Sequence, residues 1–98
     1  MARPERLALE VPGSAGTGKA ENVFRLRDKT VQISGAFAGS LQLEGSIDGE
    51  DFAPIGARVT EPGFVLVPMA VTFLRIHTLE LTSGAPKATA SGFDYRAL

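Results

Sequence analysis

Four sets of residues in this chain carry side chains able to do chemistry. His77, the sole histidine, sits among Arg75 and Thr78 without the companion histidine, cysteine or paired carboxylates that a metal site assembles. It reads as an ordinary strand histidine. Asp48, Glu50 and Asp51, with Glu44 nearby, could offer oxygens to Ca²⁺, but the loop of roughly 12 residues ending in a ligating glutamate is absent. A solvated hairpin tip accounts for them better. Ser34, Ser40, Ser46 and Ser83 are hydroxyls, yet a nucleophile needs a base and an orienting group, and no nucleophile-elbow motif is present. Lastly, Gly13, Gly18 and Lys19 have the spacing of a phosphate-binding loop, but Ala20 stands where Ser or Thr would hold Mg²⁺. The segment after Ala20 is also wrong for that loop, which needs a helix there, because Phe24 and Leu26 alternate with Arg25 and Arg27 as a strand does. No enzyme is expected, and no cofactor, metal or small-molecule substrate.

The elements that hold these residues are strands. From Thr30 to Phe52, Val31, Ile33 and Gly35 alternate with Thr30, Gln32 and Ser34, and Leu41, Leu43, Gly45 and Ile47 alternate with Ser40, Gln42, Glu44 and Ser46. A period of two sends one set inward and the other to solvent. The link Ala36 to Gly39 is short enough to return the chain antiparallel, and Asp48-Gly49 is a strong hairpin signal. Arg27 to Lys29 reads as a charged turn into this ribbon. Pro54 limits the strand Ile55 to Thr60 to a sheet edge or an irregular pairing, because proline has no N–H to donate. Glu61-Pro62-Gly63 is a turn. Phe64 to Val67 is either a fully buried strand or one side of an interface. Val71 to Leu79 is the most β-prone segment, Ser83 to Pro86 turns the chain again, Lys87 to Phe93 alternates small apolar residues, and the tail Asp94 to Leu98 reads as surface.

No window of 11 or more residues carries a helical apolar stripe free of Gly and Pro. Eleven glycines and six prolines punctuate the short β runs. The expected fold is all-β, an antiparallel sandwich or small barrel of about seven or eight short strands with a flexible N-terminal arm. The domain organisation expected is an arm and Gly-rich linker over 1–20 and a β-sandwich over 21–98. Within the arm, Leu7, Leu9 and Val11 alternate with Ala8 and Glu10, and Pro12 to Lys19 has a linker composition. Such an arm can pair with the sheet edge of its own domain or with that of a neighbouring subunit. The second option makes Leu7, Leu9 and Val11 the expected subunit or capsid contacts.

Composition narrows the partners. Ninety-eight residues at 44% hydrophobic content make one small domain, with a core small enough that self-association is a reasonable expectation. A net charge of -1 offers no basic stripe for nucleic acid. The absence of cysteine excludes disulfides and fits assembly in a reducing cytoplasm. Neither a Sec signal nor a membrane span is expected, since Arg3, Glu5 and Arg6 precede no apolar region of that kind.

The run Ser34 to Phe52 resembles small β-sandwich virion proteins of tailed bacteriophages, whose pattern is S-G-x-[FY]-x-G-x-[LV]-x-[LV]-x-G-S-x-D-G-x-x-[FW]. It matches here at Ser34, Gly35, Phe37, Gly39, Leu41, Leu43, Gly45, Ser46, Asp48, Gly49 and Phe52, and the later Arg75-Ile76 and Thr82-Ser83-Gly84 extend it over about residues 22 to 93. These are turn and core positions. The resemblance implies a non-enzymatic structural role, either capsid decoration (cement) on the outer shell or a tail or fibre accessory module binding host-surface glycans. The free arm and the domain size point to decoration, with the major capsid protein and further copies of itself as partners, often as a trimer over a local threefold axis. Deleting Met1 to Gly18 is then expected to leave the domain folded but abolish capsid retention.

Overall fold

The computed structural model describes residues 2–94, and these form nine antiparallel strands in two packed sheets. The strands are β1 (Arg3–Leu9), β2 (Gly16–Thr17), β3 (Glu21–Asn22), β4 (Leu26–Ser34), β5 (Phe37–Ser46), β6 (Ala53–Val59), β7 (Gly63–Val67), β8 (Phe73–Gly84) and β9 (Lys87–Asp94). One sheet has the order β1-β9-β4-β7. The other has the order β2-β8-β5-β6, with β3 also pairing β8. The 44 Å length of the molecule matches the 12-residue β8, which at about 3.4 Å per residue spans about 40 Å.

Alternation dictates the core. Leu41, Leu43 and Gly45 of β5 lie opposite Thr78, Ile76 and Leu74 of β8, and their inner faces meet Val31 and Ile33 of β4 with Ala88 and Ala90 of β9 from the other sheet. Leu41, Val31, Leu74 and Ala90 are fully buried, each large one stabilising the fold by about 1.5–3 kcal/mol. Among the described residues no buried side-chain nitrogen or oxygen lacks a partner. Gln42 shows how that is achieved. Where β6 carries two extra residues against β5, between Leu41 and Leu43, Gln42 Nε2 donates to the carbonyls of Leu43, Ile55 and Gly56 at 3.0, 3.2 and 3.3 Å.

Several expectations change. The ribbon is not a hairpin at Ala36, because β4 and β5 belong to opposite sheets and Gly35-Ala36 turns a corner between them. The second expected turn is a hairpin, joining β5 to β6 through Asp48-Gly49 with Gly49 at φ 81°. Proline-bearing β6 is both things the proline allowed, an edge strand and an irregular pairing against β5.

The arm expected over 1–20 is part of the sandwich. β1 pairs along its whole length with β9 of the same chain, from Arg3 opposite Asp94 to Leu9 opposite Ala88. Leu9 is core at 4% exposure, and Leu7 and Val11 pack against that core, so all three serve the chain's own interior in this arrangement. Burial is the reason. One apolar face on β1 covers the open side of β9, which would otherwise leave Ala88 and Ala90 to solvent. The linker is likewise held: Gly16 and Thr17 pair with Thr78 and His77, Thr78 Oγ1 donates to the Pro12 carbonyl at 2.9 Å, and Gly18 N donates to Ile76 O at 2.8 Å.

Arg27 to Lys29 also differ from the expected turn. They lie inside β4 at a bulge, with Asp28 at φ 55°, and Lys29 is buried. At the C-terminal end Asp94 is 6% exposed rather than surface, while residues 95–98 of the expected tail lie outside the described residues.

Candidate functional site

The residues suspected of chemistry are dispersed, and the structure explains most of them as supports. Ser46 Oγ donates to Asp48 Oδ1 at 2.9 Å and accepts from Gly49 N at 2.8 Å. Asp48 Oδ1 also accepts from the Glu50 and Asp51 amides, each at 2.9 Å. Those two amides first, and then the Ser46 hydroxyl, hold the Asp48 carboxyl down to about 2. The acidic tip is therefore a stiff turn built on one carboxylate. No group of three or more His, Asp or Glu able to hold a metal occurs among the described residues. The phosphate-loop spacing is also structural, since a side chain at Gly18 would run into the Glu10 backbone carbonyl and no helix comes after it among the described residues.

His77 does have company. On the outer face of β5 and β8, Glu44 accepts from Arg75 Nε at 2.8 Å and faces His77 Nδ1 at 3.1 Å, and the Arg75 guanidinium lies 3.8 Å from the centroid of Phe52. Burial alone would raise the Glu44 carboxyl. Hydrogen bonds from Arg75 and His77, with their charges, outweigh that and hold it below its ordinary value. The cluster is an ion-paired clamp across two strands, with the Phe52 face covered by the guanidinium. The sequence reading sets Arg75 beside His77 and Glu44 near the acidic tip without joining the two or adding Phe52; what unites them is the register of Glu44 with Arg75 across β5 and β8, which no local spacing reveals.

The feature the sequence did not resolve is β7. It is the last strand of its sheet, paired with β4 on one side only. Phe64 and Leu66 are 72% and 71% exposed, while Val67 is buried, so the apolar run Phe64 to Val67 alternates after all. Registers Phe64 to Gln32 and Leu66 to Thr30, continued by Thr30 to Ser91 and Gln32 to Thr89, place both large residues on the outer face of the sheet beside Thr30, Gln32, Thr89 and Ser91, with exposed Phe93 farther along β9 on the same face. A groove of about 530 Å³ runs along residues 56–66, beside the edge strands β6 and β7. An exposed apolar edge strand is a template for pairing with another chain, and soluble proteins ordinarily blunt such edges.

A second hollow, of about 440 Å³, lies at the end of the sandwich between the β4 bulge and the segment entering β8, lined by Phe24, Leu26, Lys29, Val67 and Met69 among others.

No family model matches the chain, and no curated protein matches it in sequence. Its fold does have a solved counterpart. The crystal structure of the SPBc2 prophage-derived protein YomS superposes with a TM-score of 0.72 over 95% of this chain and 95% of that one, at 16% sequence identity. At that identity the likeness is one of fold.

Proposed function

We propose that this chain is a non-enzymatic structural protein of a tailed-phage virion, a decoration (cement) protein that binds the outer capsid surface and stabilises the shell. The observation that carries the reading is the β7 edge, where Phe64 and Leu66 stand in solvent next to an unpaired strand and a groove. The resemblance over residues 34–52 and the likeness in fold to a prophage-derived protein support the virion setting. Attachment would proceed by strand addition: an extended segment of the lattice pairs with Gly63–Val67, its backbone satisfying the open edge while its side chains meet Phe64 and Leu66. Attachment through Leu7, Leu9 and Val11 is replaced by this surface, since Leu9 is core and Leu7 and Val11 pack against that core from the same chain.

The energetic logic is linkage. A protein that binds only the assembled lattice stabilises it by RT ln(1 + [L]/Kd) per site, about 2.7 kcal/mol at a hundredfold excess over Kd. Small increments sum over a shell.

The test is co-sedimentation with purified capsids, followed by an image reconstruction of the decorated particle. Density for the chain on the outer shell, contacting capsid through β7, is the expected result. Density on the tail or fibre, together with binding of the isolated protein to a glycan array, would replace this reading with a tail or fibre accessory module.

A further inference from the structure

Among the described residues one sheet ends at β1 and β7, and the other at β6 and the short β2 and β3. Most of these edges are closed by their own residues. β1 opens with exposed Arg3 and Pro4 and carries exposed Arg6, so charge and a missing N–H guard its outer half. β2 and β3 are two residues each. β6 has Pro54, Gly56 at φ 73° and an irregular pairing with β5. The far ends of β5 and β8, past β6 and β2, share two register shifts and expose Glu80. Charges, prolines, bulges and short length are the means by which edge strands are kept from pairing. β7 has none of them: its five residues run opposite β4 from Ile33 to Lys29 without a shift and include neither a charge nor a proline.

The same five residues suit their own copy. Pro62 and Pro68 bound the run and fix its length. About Val65 the pattern is nearly mirror-symmetric, with Phe64 and Leu66 flanking it at 72% and 71% exposure. A two-fold axis through Val65, perpendicular to the sheet, lays β7 antiparallel to β7 of a second copy and keeps the outer faces on the same side. Val65 then stands opposite Val65, and each Phe64 opposite a Leu66. That makes two large apolar cross-strand pairs side by side, covering surface that each copy separately shows to water. No like charges meet, since Glu61 falls opposite Met69. With the other edges closed, β7 is the strand of a second copy best able to meet β7, and a contact of this kind closes at two subunits.

We propose that in the free protein β7 pairs with β7 of a second copy across this axis, joining two four-stranded sheets into one of eight strands. The proposal rests on the reading of β7 as the attachment edge, which the second copy caps until the lattice replaces it. Five residues give a ladder of about 17 Å, at the weak and transient end of protein contacts, so the cap can give way.

Sedimentation velocity of the full chain without capsid, run from micromolar to millimolar, is expected to show monomer passing to dimer. Phe64→Lys with Leu66→Lys is expected to weaken that association by at least about tenfold. The register has its own readout. The chain has no cysteine, so Phe64→Cys and Leu66→Cys each place one thiol at an exposed position. Under mild oxidation an equal mixture of the two variants is expected to give several-fold more disulfide-linked dimer than either alone, because residue 64 lies opposite residue 66 of the second copy and not opposite its own equivalent. A wild type that stays monomeric throughout, a trimer, a double-lysine variant that dimerises like the wild type, or equal cross-linking in the mixture and the single variants would each overturn the proposal. A dimer cross-linked in the expected register, from a protein that never pellets with capsids, would uphold the pairing and remove the attachment reading instead.

Discussion

Glu44 stands directly opposite Arg75 in the β5–β8 ladder, its Oε1 2.8 Å from the guanidinium Nε while its Oε2 faces His77. The carboxyl is held below its ordinary 4.5 in the fold, so its contribution is present above that value and lost as pH falls through the lower folded one. Asp48 behaves with the same sign, between its ordinary 3.8 and about 2. Glu44→Gln is expected to cost on the order of 0.5–1 kcal/mol near neutrality, the range for a partly exposed pair. Urea denaturation of wild type and variant at falling pH should show that difference shrinking towards zero as Glu44 protonates.

Gly18 and Lys19 separate structure from mimicry. Gly18→Ala drives a methyl into backbone that cannot easily yield and is expected to lose about 1–3 kcal/mol. Lys19, whose side chain is 73% exposed, should tolerate Ala within about 0.5 kcal/mol. Denaturant midpoints of the two variants make the comparison, and neither change should alter any retention of nucleotide.

Removal of β1 should unfold the domain rather than free it from a partner. Leu9→Ala empties a core position at 4% exposure and is expected to cost about 2–5 kcal/mol. A chain starting at residue 19 should lose the cooperative transition seen by near-ultraviolet circular dichroism.

Phe64→Lys with Leu66→Lys changes two exposed positions and should move stability by no more than about 0.5 kcal/mol for each. Lysine on an edge strand discourages pairing. The doubly substituted protein should keep the wild-type melting temperature and fail to pellet with capsids.

How far residues alone reveal such a fold is visible strand by strand. Leu41, Leu43 and Ile33 declared their faces through strict alternation, and Asp48-Gly49 declared its turn because glycine accepts φ 81° there. Gly35-Ala36 did not declare that it changes sheets, because a local period says which face is buried and not which sheet the next strand joins. The same limit hid β1, since Leu7, Leu9 and Val11 show an apolar face but not the β9 edge that it covers. Lys29 was hidden differently: a charged triplet reads as a turn unless the bulge at Asp28 is known. For β7, the run Phe64 to Val67 concealed an alternation whose solvent half is also apolar, and composition cannot tell such a half from core.

The pairing of Arg3 with Asp94 in the β1–β9 ladder sets those two residues about 5 Å apart at their Cα atoms, although they lie near opposite ends of the sequence. The domain therefore has a single doorway. Spliced at that point into a surface loop of an unrelated carrier, it would leave and re-enter the host backbone at almost the same spot, adding a compact knob without prising the carrier apart.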